Sequence, residues 1–135
     1  MKSKCRLLLV DDYEPIRGAL RDLLHQYDDM QVVGEATNGQ EAIQRVASCQ
    51  PDVILMDMNM PTMNGIAASS EIKRSWKDSI IIGLVGSVDP HTIDAFMKAG
   101  ASSVISKHKV DDLYPTIQRA CRDKILKKSR WFLFE

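Results

Sequence analysis

Leu7-Leu8-Leu9-Val10-Asp11-Asp12 puts four large apolar residues in a row and then stops on two carboxylates. A half-buried strand alternates apolar and polar side chains. A run without alternation suits a strand covered on both faces, as in a parallel sheet. Four more short runs rich in Val, Ile and Leu follow at fairly even intervals, at 31–36, 53–56, 80–84 and 103–105. Between them the apolar spacing changes to that of helices. Ile16, Leu20, Leu23, Leu24 and Tyr27 share one helical face. A second segment, with Ala42, Ile43, Val46 and Ala47, follows the turn Asn38-Gly39 and stops before Pro51. A third runs from about Gly65 to Trp76, and a fourth, with Ile93, Phe96 and Met97, from near Pro90 to Gly100. The last carries Leu113, Ile117, Ala120 and Cys121, with Pro115 in its first turn, where a missing N–H is tolerated. Five strands alternating with five helices imply βαβ crossovers and a doubly wound α/β domain with helices on both faces of a parallel sheet.

The chain is 135 residues long, enough for one domain with one core. It is 44% hydrophobic and 27% charged, with 18 basic and 18 acidic residues. A formal charge of zero argues against the body of the domain binding nucleic acid, which calls for a basic excess. Cys5, Cys49 and Cys121 are an odd number, far apart, without metal spacing or a disulfide framework. Cys5 and Cys121 read as buried thiols, and a reducing, cytoplasmic setting fits. No apolar stretch approaches the roughly 18 residues of a membrane span. The basic start, Lys2 to Arg6, leads into a run too short for a signal peptide.

In open parallel sheets, function gathers at the carboxyl ends of the strands, near the point where strand order reverses. The first run ends in Asp11-Asp12, the third in Asp57 and the fifth at Lys107. Taken singly, each is an ordinary solvated turn residue or surface charge. Taken together, all four fall where the fold makes one pocket. Three clustered carboxylates repel one another unless a cation joins them. Mg2+ suits such a site, because it takes oxygen ligands and few carboxylates. Asp57 is then a candidate nucleophile for phosphoryl, with Lys107 to neutralise the phosphoryl oxygens.

Three segments resemble the receiver domains of two-component response regulators. They are Leu8-Leu9-Val10-Asp11-Asp12, the stretch from Asp57 through Met60-Pro61 to Gly65, and Lys98-Ala99-Gly100 followed by Ser106-Lys107. The likeness covers about residues 5–122. It implies a flavodoxin-like (βα)5 fold with strand order 2-1-3-4-5. It implies that Asp57 is phosphorylated by a histidine kinase or histidine phosphotransfer protein. It implies Mg2+ held by Asp11, Asp12, Asp57 and the Asn59 carbonyl, with Lys107 on the phosphoryl group. Phosphorylation would switch the surface of helix 4, strand 5 and helix 5, through which a homodimer would form. The segment from Val110 to Tyr114 resembles receivers joined to helix-turn-helix transcription regulators, so DNA would be reached only through an output domain missing from this chain.

The sequence departs from that family at the switch. Val85 occupies the slot where the family carries Ser or Thr, and it has no hydroxyl to donate. Ser87 lies two residues on. Val104 stands at the aromatic switch position, and His108 replaces the usual Pro after Lys107. Asn59 and Ser87 are expected to set the lifetime of the acyl phosphate. A domain boundary is expected near residue 124, leaving 125–135 as a basic and apolar tail or the start of a linker that contains Trp131-Phe132-Leu133-Phe134. Turnover enzymology is not expected, because aspartyl-phosphate phosphatases use a second Asp where this chain has Asn59. A flavin site is opposed by Asp11-Asp12-Tyr13-Glu14, which would repel phosphate. The alternative is a pseudo-receiver, an interaction module that is not phosphorylated, with Val85 as its main support.

Overall fold

The computed structural model describes the backbone of residues 4–134 and the side chains of residues 4–124. Among these residues the elements are β1 (Cys5–Val10), α1 (Glu14–Leu24), β2 (Met30–Ala36), α2 (Gly39–Cys49), β3 (Val53–Asp57), α3 (Gly65–Ser75), β4 (Ile80–Val85), α4 (Pro90–Lys98), β5 (Ser103–Ser106), a 3-10 turn (Val110–Asp112) and α5 (Leu113–Phe134). All strand pairings are parallel, in the order β2-β1-β3-β4-β5. Each expected apolar run is a strand, lengthened by one or two residues, and the expected strand order holds. The Trp131–Phe134 cluster lies outside the described side chains. The helical backbone of α5 runs on past residue 124 to Phe134.

The missing alternation in the strands has a direct cause. Odd-numbered Leu7, Leu9, Val53 and Leu55 pack under α1 and α5, against Leu20, Leu24, Leu113 and Ile117. Even-numbered Leu8, Val10, Ile54 and Met56 pack under α2, α3 and α4, against Val46, Ile72 and Phe96. Both faces of β1 and β3 are therefore dry, so both parities must be apolar. The helix starts are set by short polar side chains. The Oδ1 atoms of Asn38, Asn64 and Asp89 accept the backbone N–H of Glu41, Ala67 and His91 at 2.8–2.9 Å. Gly100 ends α4 at φ 110°, a left-handed conformation that glycine adopts without a Cβ penalty.

The cysteine expectation is overturned. Cys5 and Cys121 are joined in a disulfide, with Cα atoms 6.2 Å apart across a sequence separation of 116. That Cα separation falls in the normal range for the bond. Spacing gave no hint of it, because the first residue of β1 and the third turn of α5 meet only once the sheet is complete. Cys49 is free.

Gly65 decides where α3 begins relative to β3. Its N–H donates to the Met58 carbonyl at 2.9 Å, and a Cβ on it would overlap the Asp57 carbonyl oxygen, which is backbone and cannot step aside. Gly65→Ala is expected to cost about 2–3 kcal/mol, an overpacking penalty against main chain. A urea denaturation curve with an unchanged midpoint would contradict this.

Candidate functional site

The carboxyl ends of β1, β3 and β5 converge, as the switch in strand order requires. Asp11 follows β1 directly, and its N–H is tied to the Ala36 carbonyl at the end of β2. Asp57 is the last residue of β3. Both are almost sealed from water, at 1% and 2% exposure. Lys107 follows β5, and its N–H donates to the Val85 carbonyl at 2.8 Å, so the ends of β4 and β5 hold it in place. Its Nζ lies 2.7 Å from Asp57 Oδ1 and 3.1 Å from Asp11 Oδ2. Asp12 is exposed at the mouth. Carboxylate oxygens of Asp11, Asp12 and Asp57 all lie within 4.8 Å of one another.

Burial is the main influence on Asp57 and holds its carboxyl above the ordinary range; the Lys107 hydrogen bond opposes this, and the nearby Asp11 charge adds to it. For Lys107, burial favours the neutral form, but the hydrogen bonds and charges of Asp57 and Asp11 together outweigh it and hold the ammonium above its usual value. The two directions agree. The lysine faces two carboxylates, whereas Asp57 faces one lysine, one like charge and a dry surrounding.

The donor set fits a small hard cation. Three carboxylates meet at one open-mouthed cluster, and one lysine cannot neutralise all of them. Asn59 is exposed on the β3–α3 loop, and a backbone contact from it favours the ionised form of Asp57. That loop holds Thr62 at φ 70°, a left-handed conformation costly for a β-branched residue.

The expected site residues divide. Asp11, Asp12, Asp57 and Lys107 come together. Val85 reaches the cluster only through its carbonyl, and its side chain is buried in the layer under α4. Val104 is partly buried against that same layer, and Ser87 is exposed on the β4–α4 loop. Sequence reading missed Arg17. Its Nη1 donates to the Asp11 carbonyl at 2.7 Å and its Nε to Glu35 Oε1 at 2.8 Å, with Glu14 as a further partner. An arginine on a helix face reads as solvated charge; only the tertiary fold turns this one onto the end of β1.

The response regulator receiver domain profile matches residues 7–118. The transcriptional regulatory protein LiaR of Bacillus subtilis (strain 168) is 39% identical over 102 residues, which is 76% of this chain and 48% of that protein. The response regulator domain of Thermotoga maritima CheB superposes with a TM-score of 0.81 at 31% identity, covering 88% of this chain and 97% of that one. A two-component response regulator of the LuxR family from Aurantimonas sp. SI85-9A1 gives 0.86 at 26% identity, covering 90% and 87%. The chain spans about half the length of the curated relatives it matches.

Asp57 binds its proton more tightly in the folded chain than in the unfolded one. The stability this gives is full below its unfolded value and is lost as pH rises through its raised folded value. Asp57→Asn, with Lys107 still on Asp11, is therefore expected to be more stable than the parent at neutral pH without divalent ions. The gap should close as the solution is acidified through the carboxylate range. Thermal unfolding in chelator across pH measures it; a variant less stable at every pH would refute this reading.

Proposed function

The chain belongs to the response regulator receiver family, and from that premise we propose that Asp57 is the residue that accepts the phosphoryl group. The chain is a phosphoacceptor signalling domain of two-component type. The observation that carries the choice of residue is the Lys107 bridge. Asp57 ends the central strand β3 with one oxygen 2.7 Å from an ammonium, beside a second buried carboxylate.

Transfer from a phosphohistidine forms the bond from an Asp57 carboxylate oxygen to phosphorus and breaks the bond from phosphorus to the imidazole nitrogen. Lys107 starts paired with Asp57 and Asp11, and it can follow the charge onto a phosphoryl oxygen. Asp11, Asp12, Asp57 and the Asn59 carbonyl would hold Mg2+, which supplies neutralisation of the phosphoryl oxygens when bound. Arg17 keeps the end of β1, and with it Asp11, fixed during these events. Asn59 and Ser87 flank the approach of a hydrolytic water and set how long the acyl phosphate lasts.

The partners proposed on this basis are a histidine kinase or a histidine phosphotransfer protein. The switched surface is that of α4, β5 and α5, where a groove of about 1330 Å³ follows the free edge of β5 past Val104, Ser106, Lys109 and Arg119. A homodimer would use this surface, and DNA would be reached through an output domain of a longer protein. The domain accepts phosphoryl without turning over external substrates, and its setting is the cytoplasm. No helix among the described residues is long and apolar enough to cross a membrane.

Incubation with Mg2+ and acetyl phosphate is expected to add one phosphoryl group by intact mass, and Asp57→Ala to add none. Joint substitution of Asn59 and Ser87 should change the decay rate of the modified species; an unchanged decay rejects their role. No gain with several donors would favour the pseudo-receiver.

Val85 presents two methyl groups where a hydroxyl would reward the phosphorylated conformation. Val85→Thr is expected to enlarge the phosphorylation-linked change in the amide spectra of α4 and β5. An equal or smaller change would remove Val85 as the limit on switching.

A further inference from the structure

At the foot of the sheet, opposite the carboxylate cluster, the first residue of β1 meets the third turn of α5. Cys5 is 6% exposed, and Cys121, bonded to it, is partly exposed. Asp52 stands beside the pair, with a carboxylate oxygen within 4.8 Å of the two sulfurs; it accepts the Arg6 N–H at 2.9 Å and pairs with Lys124 at 3.5 Å. Leu113 and Ile117 anchor the first turns of α5 in the core. Beyond them, the described side chains offer Ala120 and Cys121 as partly buried contacts and then the Lys124–Asp52 ion pair. A partly exposed ion pair holds little. The disulfide is thus the one covalent tie among the described residues between α5 and the sheet, set in the third turn of a helix that runs on to Phe134.

We infer that Cys5 and Cys121 are a reversible redox site, a dithiol that takes low-molecular-weight disulfides as its oxidant and, once closed, locks the third turn of α5 onto the foot of β1. Cys121, the less buried of the two residues, is the entry sulfur. Its thiolate attacks one sulfur of the small disulfide; a mixed disulfide forms and one small thiolate leaves with the proton given up by Cys121. The Cys5 thiolate then attacks Cys121 Sγ, the mixed bond breaks, and the second small thiolate leaves with the Cys5 proton. Two electrons pass from the pair to the small disulfide, giving one protein disulfide and two small thiols. In a reducing compartment such bonds are transient and serve as redox sensors. Closure spans nearly the whole chain, so it constrains the unfolded ensemble strongly. Locally it removes the openings in which this part of α5 lifts from the sheet.

The test uses the full chain equilibrated with either dithiothreitol or glutathione disulfide, then denatured, alkylated and weighed. The reduced form should take three alkyl groups, one for each cysteine, and the oxidised form one, mapping to Cys49. Oxidation should slow amide hydrogen exchange in residues 117–124 by about tenfold or more, as expected when a local opening is blocked. The melting temperature should rise by on the order of 10 °C. Cys121→Ser, at a partly exposed position, should abolish both responses, and Cys49→Ser should keep them. Three alkyl groups after treatment with glutathione disulfide would overturn the inference, as would closure that leaves α5 exchange unchanged. Retention of one zinc ion by the reduced chain in native mass spectra, lost in Cys121→Ser, would also overturn it, because the pair with Asp52 would then be a metal centre.

Discussion

Two carboxylates, each almost sealed from water, face one another across the ends of adjacent strands, and one ammonium holds them there. Lys107, at 3.1 and 2.7 Å, offsets the repulsion between Asp11 and Asp57 in so dry a place. The lysine in turn reaches them only because β5 lies beyond β4 and its backbone is tied to the end of β4. The sheet order therefore determines the electrostatics, and the electrostatics make the site receptive. A site left with excess negative charge favours a divalent cation, and a lysine already shared between two acids can be drawn to a third set of oxygens.

Around that centre the backbone is fitted closely and permits little adjustment. Gly65 lets the start of α3 touch the Asp57 carbonyl, and Arg17 clamps the Asp11 carbonyl from α1. The β4 side differs. Val85 is buried under α4, and Gly83, two residues before it, lies against the ring of the fully buried Phe96. Val85 carries no hydroxyl where the receivers that this chain resembles carry Ser or Thr, so the proposed phosphoryl chemistry would couple less strongly to α4. The proposed acceptor and the switch slot sit on different strands, β3 and β4.

The far end of the sheet follows a different logic. Among the described residues no carboxylate pair like Asp11 and Asp57 stands there; a covalent tie joins β1 to α5, with Asp52 and Lys124 at its rim. At the same end, Tyr114 of α5 stacks on Tyr27 and donates its hydroxyl to Asp29 at 2.8 Å, and the Asp29 carbonyl accepts the Cys5 N–H. The helix is thus fastened at this end in two ways, by aromatic and hydrogen-bonded contact and by sulfur, and the inferred redox response acts on the second.

Much of this was legible in the chain. Short continuous apolar runs suit strands dry on both faces, so the parallel sheet followed from Leu7–Val10 and its counterparts together with the helical spacing between them. The place of Asp11, Asp12, Asp57 and Lys107 at strand ends followed with it, because strand ends are where the apolar pattern stops. What sequence did not reveal were contacts whose meaning depends on distance in space. Arg17 reads as surface charge until α1 turns it onto β1, and Cys5 and Cys121 read as separate thiols until the last helix closes over the first strand. Periodicity records which face a residue occupies along its own element; only the packing of one element on another decides which groups, far apart in the chain, come within bonding reach.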